Sequence, residues 1–129
     1  MQVSEDGGLL PNPYDARCPS REVLDRIGDR WTVLVVGSLS SGPMRFSELG
    51  RRIEGISQKM LTQTLRGLER DGLVTRTVHA AVPPRVEYEL TDLGRTLIAP
   101  LHALDAWARA HMPDVVASRT AYDERPASV

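Results

Sequence analysis

The stretch ISQKMLTQTLRGLERDGL, Ile56–Leu73, is marked at both ends and striped along its length. Ser57 is a good N-cap, because its hydroxyl can accept from a free N–H of a first helical turn. Ile56 before it and Leu61 after it stand where a hydrophobic staple would form. Gly72 can take the left-handed conformation, and Leu73 can fold back on Leu68 as a Schellman motif requires. The expectation is a helix from about residue 57 to residue 71. At the helical period Leu61, Leu65 and Leu68 gather on one side. Gln58, Lys59, Thr62, Gln63, Arg66 and Arg70 fall in an arc roughly opposite, with Met60 and Thr64 between. The leucine stripe belongs to a core. The polar stripe needs a purpose or is an ordinary solvated face.

Downstream the period changes from helical to alternating. VTRTVH (74–79) and RVEYEL (85–90) place Val74, Arg76 and Val78, then Val86, Tyr88 and Leu90, on one side of each segment. AAVPP joins them, and its prolines cannot sit inside a paired strand. The two segments predict a β-hairpin. Thr91 and Asp92 then open a last helix with Leu93, Leu97, Leu101, Leu104 and Ala108 as its apolar positions, and Trp107 and Met112 alongside. Pro100 lies within that span and should bend it.

Upstream, Pro19 suits a first helical position with Cys18 as the cap before it. Val23, Leu24 and Ile27 give that short helix an apolar face, and Gly28 ends it. Asp29 can cap the next helix, which is expected to bury Trp31, Leu34, Val35 and Leu39 and to stop at Gly42-Pro43. MRF (44–46) is extended at most. Ser47 is expected to cap a two-turn helix, SELGRRI, that ends at Glu54-Gly55. Residues 1–17 read as a flexible arm, 18–112 as the folded domain, and 113–129 as a polar, flexible tail.

The order is mainly α with a small β-hairpin. Two helices at 47–54 and 57–71 joined by a tight turn make a helix-turn-helix, and a hairpin directly after the second makes it winged. The second helix of such a unit places its exposed face in the DNA major groove. Base edges there are read by Gln, Asn, Arg and Lys, which is the chemistry of Gln58, Lys59, Gln63 and Arg66.

Charge distribution agrees with that reading. The net charge of the 129 residues is −1. Residues 43–85, however, hold eight cations and four acids, whereas residues 1–29 and 86–129 each carry −3 and Arg30 adds one positive charge. A basic centre between acidic flanks suits a polyanion-facing surface. Charged residues at 26% and hydrophobic ones at 41% are ordinary for a soluble globular domain. No apolar run reaches membrane-spanning length, and MQVSEDGGLLPNPYDAR lacks a basic-then-apolar export pattern; a cytoplasmic protein is expected. The single cysteine excludes an intrachain disulfide. His79, His102 and His111 fit no common metal spacing, so no metal or cofactor is expected. No Ser–His–Asp, P-loop or dinucleotide motif is present, so an enzyme is not expected.

CPSREVLDRIGDRWTVLVVGSL, GPMRFSELGRRIEGISQKMLTQTLRGLERDGLV and VPPRVEYELTDLGRTL together resemble the HxlR family of bacterial winged-helix transcription regulators, relatives of the MarR group. The resemblance covers about residues 18–110 and rests on three motifs in combination. It implies a homodimer that binds an inverted-repeat DNA operator. It places the recognition helix at Ser57–Asp71 and the wing tip at Ala80–Arg85. It also implies that Cys18 occupies the position of a cysteine through which several members sense oxidants or electrophiles. The candidate DNA contacts are Arg45, Ser57, Gln58, Lys59, Thr62, Gln63, Arg66 and Arg85. The candidate dimer interface is Leu97, Ile98, Leu101, Leu104 and Trp107. No small-molecule effector is specified by the residues. The alternative function is a winged helix used for protein–protein contact without DNA.

Overall fold

The computed structural model describes residues 24–127. Its contacts divide the chain into two units, residues 1–98 and 99–129. Cys18 lies outside the described residues.

Residues 24–27 are helical, and Gly28 closes this turn with its N–H on the Leu24 carbonyl at 2.8 Å. Asp29 caps α1 (Arg30–Leu39) by accepting from the Trp31 N–H at 2.7 Å. The buried face of α1 is Thr32, Val35, Val36, Ser38 and Leu39. Leu34, expected in the core, is instead 46% exposed, and Trp31 is half-buried. The reason is angular: positions 32, 35, 36 and 39 form one helical stripe, and 31 and 34 fall beside it.

Next come β1 (Met44–Arg45) and α2 (Phe46–Arg52). The N-cap of α2 is Arg45, not Ser47. Met44 and Arg45 pair with Tyr88 and Glu87, which keeps them extended and starts the helix immediately after. Glu48 reaches back to accept from the Arg45 backbone N–H at 3.1 Å. The turn to α3 (Gln58–Arg70) passes through Gly55 at φ 87, a left-handed angle that favours glycine.

Both expected ends of α3 are present. Ser57 Oγ accepts from the Met60 N–H at 3.0 Å. At the other end the Leu73 N–H donates to Leu68 O at 2.9 Å and the Gly72 N–H to Glu69 O at 3.0 Å, with Gly72 at φ 76. These two bonds are the Schellman pattern.

The expected hairpin is β2 (Val74–His79) and β3 (Arg85–Leu90), in register from Val74 opposite Leu90 to His79 opposite Arg85. With β1 it forms a three-stranded antiparallel sheet in the order β1-β3-β2. The base of the hairpin is buried through Val74, Tyr88 and Leu90, and its outer half is largely exposed. The core joins these residues to Val35, Val36 and Leu39 of α1, Leu49 and Ile53, and Leu61, Leu65 and Leu68 of α3. Each fully buried leucine contributes about 1.5–3 kcal/mol of transfer free energy.

The last helix is not the single bent helix expected. A short α4 (Asp92–Arg95), capped by Thr91, is followed by a separate α5 (Ile98–Asp123). The Thr96 and Leu97 N–H groups bond three residues back, to Leu93 and Gly94, which tightens and ends α4. Pro100 would crowd the Thr96 carbonyl in a continuous helix. In the first turn of α5 its missing N–H costs nothing, since that group has no helical partner there. The tail expected from residue 113 is also different: α5 runs through Pro113 to Asp123. Within α5 only Leu101 is buried.

Candidate nucleic-acid interface

Helices α2 and α3 are joined by a tight turn, and the hairpin follows α3 directly, which is the winged helix-turn-helix arrangement. On α3, Leu61, Thr64, Leu65 and Leu68 point into the core. Gln58, Lys59, Gln63, Arg66 and Arg70 are exposed, and Thr62 is half-buried at their edge. The face that the sequence marks as polar is therefore open along the helix. Ser57 itself is occupied in capping α3. It takes the Met60 N–H, and the amides of Gln58 and Lys59 remain first-turn donors without a helical partner, which suits an anion.

The surrounding charge is open as well. Arg51, Arg52, Lys59, Arg66, Arg70, Arg76 and Arg85 are exposed and make no ion pair among the described residues. Two of the acids in the same span are engaged: Glu48 by Arg45, and Asp71 by Arg26. Pairing thus engages two of the four acids of the span at the cost of one of its eight cations, Arg45. Arg51 and Arg52, in the last turn of α2, were absent from the candidate contacts. The signal for them is their place at the end of the first helix of the pair.

Arg45 is less free than expected. Its Nε donates to Glu48 Oε1 at 3.1 Å, the same oxygen that takes its backbone N–H. Glu48 is held below the usual carboxylate range, first by the hydrogen bond from the Arg45 backbone and then by the one from its side chain, with desolvation opposing both. Arg85 opens the return strand of the wing, exposed and directly opposite His79. Glu87 lies 3.6 Å from His79 Nε2, so the nearest cross-strand acid stands against the histidine. Among the described residues no cluster of His, Cys, Asp or Glu is arranged to hold a metal ion, and no helix is long and apolar enough to cross a membrane.

The five residues expected at a dimer interface fall differently. Leu97 and Ile98 are half-buried, Leu101 is buried, and Leu104 and Trp107 are each 59% exposed. Met112, Val116 and Tyr122 extend the exposed apolar positions of α5 beyond them.

Residues 26–116 match the HxlR-like helix-turn-helix family model. The chain belongs to this family. Among HxlR-like relatives, the uncharacterized HTH-type transcriptional regulator YtfH of Escherichia coli K12 is 46% identical over 116 residues, which is 90% of each chain. A solved structure of the transcriptional regulator ytfH from Salmonella typhimurium matches with a TM-score of 0.81 at 43% identity, covering 86% of this chain and 99% of that one. The redox regulator HypR in its oxidized form matches with a TM-score of 0.66 at 42% identity, covering 72% and 96%.

Proposed function

We propose that the protein is a cytoplasmic, sequence-specific DNA-binding transcription regulator that acts as a homodimer on an inverted-repeat operator. The observation that carries the reading is the exposed Gln–Lys–Thr–Gln–Arg face of α3, opposite a leucine stripe that is fully buried. Lys59, Gln58, Gln63 and Arg66 are the side chains for base edges in the major groove. Arg85 at the wing and Arg51 and Arg52 beside the turn contact phosphates, which fix register without reading sequence. Arg45 contributes through the guanidinium nitrogens that Glu48 leaves free. Relatives named as transcriptional regulators support the assignment. A two-fold dimer implies half-sites about 10–10.5 bp apart, or a multiple of that spacing.

The test is selection from a randomised pool of double-stranded DNA. The full chain should enrich one pseudo-palindromic sequence, and it should bind that duplex well above a scrambled duplex of equal length. Enrichment of nothing would return the winged helix to a role in protein contact. Thiol regulation through Cys18 is a second reading, favoured by the similarity to a protein named as a redox regulator. It requires the thiolate, the species that oxidants attack. Peroxide should then lower the DNA affinity of the wild type and leave Cys18→Ser unchanged.

A further inference from the structure

Gly67 stands in the interior of α3, where glycine is a poor helix residue relative to alanine. The reason is a neighbour from the start of the chain. A Cβ at position 67 would overlap Arg26 Nη1 and lie 2.6 Å from Arg26 Cζ. The guanidinium of Arg26 lies across the glycine, and its Nε donates to Asp71 Oδ2. Asp71 is the C-cap of α3, one turn beyond Gly67 on the same flank. Both side chains of the pair are about three-quarters buried, at 26% and 24% exposure. Arginine fits this place because its planar fork can lie flat on a bare helix backbone and still donate at its edge.

We infer that Arg26 is a positioning residue for DNA readout: it clamps the C-terminal half of the recognition helix through Gly67 and Asp71, and so sets the angle at which Lys59 and Arg66 meet the groove. This rests on the DNA-binding reading of α3. The N-terminal end of α3 is fixed by its own Ser57 cap and the turn at Gly55. The C-terminal half is packed through Leu65 and Leu68 and tied beyond its end by Thr91 to Gly72 and Leu73, and base readout requires placement within roughly 0.5 Å and 10–20°. Arg26 adds a hold on the flank of Gly67 and Asp71, from the helical segment that precedes α1. Gly67 falls at the edge of the polar arc and has no side chain to offer DNA, and Nε of Arg26 is engaged by Asp71, so the effect travels through the orientation of the helix.

The test is a double-mutant cycle on the full chain with Arg26→Ala, Gly67→Ala and both together. The probes are the duplex enriched by the wild type and its scrambled counterpart. Arg26→Ala should lower the preference for the enriched duplex by about five-fold or more, and should change binding to the scrambled duplex by less than two-fold. Gly67→Ala, which displaces the guanidinium, should do the same. The double variant should be no worse than either single one. In thermal melting, Gly67→Ala should lower Tm in the wild-type background and raise it when Arg26 is already alanine, because only the helix preference of alanine then remains. Equal effects of Gly67→Ala in both backgrounds would overturn the clamp. Full preference retained by Arg26→Ala would overturn its role in readout. If the wild type enriches no duplex, the DNA reading fails and the readout role fails with it, while the melting cycle still decides the contact.

Discussion

At position 94 there is no room for a side chain. A Cβ there would overlap the Leu73 carbonyl oxygen and stand 3.0 Å from its carbonyl carbon, both of them backbone. The same junction is tied by the Thr91 N–H donating to Leu73 O at 3.0 Å and by Thr91 Oγ1 on Gly72 O at 2.6 Å. Gly94→Ala should therefore destabilise the fold by about 1–3 kcal/mol, the usual range for overpacking. Gly37→Ala in α1 meets nothing within 4 Å and should be neutral or stabilising, by up to about 1 kcal/mol. Thermal melting of the two variants checks the pair of expectations. The glycine was visible in the sequence, but its partner was not, because the carbonyl it admits lies a whole hairpin earlier. Glu48 makes a prediction in pH. Its carboxylate is favoured in the folded state by the Arg45 hydrogen bonds, so its folded pKa is depressed. The stability it adds is present above the ordinary carboxylate range and is lost as pH falls through the lowered folded value. Wild type should melt above Glu48→Gln at neutral pH and converge on it in acid; a constant gap across that range would contradict the account.

The elements differ in how far local residues determine them. The recognition helix α3 was readable at both ends because its caps are its own neighbours, Ser57 and the Gly72-Leu73 pair. Helix α2 was misplaced at its start because the deciding contact is remote: pairing of Arg45 with Glu87 holds the cap extended. The break between α4 and α5 followed from Pro100, whose effect was expected as a bend. In the structure it coincides with a new helix start, since a proline in a first turn is harmless. The polar face of α3 was legible as a face, whereas the pairing of Asp71 at its C-cap with Arg26 was not, because nothing in the sequence links residue 26 to residue 71. The wing carries its own prediction. Arg85 is exposed at the head of β3, and phosphate contacts add affinity without sequence information. Arg85→Ala should weaken binding to the enriched and scrambled duplexes by similar factors, measured by fluorescence anisotropy. A loss confined to one base pair would instead mark it as a minor-groove reader.

On the scale of the whole molecule, the open cations of the α2–wing span are proposed to meet DNA and the exposed apolar positions of α5 to mediate self-association. Leu104, Trp107, Met112, Val116 and Tyr122 are each at least 42% exposed on one helix. Apolar residues exposed along one helix support the proposed association surface, and two-fold closure is the commonest arrangement. Light scattering at working concentration should give twice the 14.3 kDa chain mass, and Leu104→Glu with Trp107→Glu should shift it toward the monomer. A monomeric wild type would contradict the dimer. The central claim is that the exposed face of α3 holds DNA. It is tested most directly by the affinity of Lys59→Ala/Arg66→Ala for the enriched duplex across a salt series. Each lost base contact should cost about 1–3 kcal/mol, and each lost phosphate contact should lower the slope of log Kobs against log salt by about one. The double variant should bind at least ten-fold more weakly at moderate salt; binding as tight as the wild type would contradict DNA contact by this face.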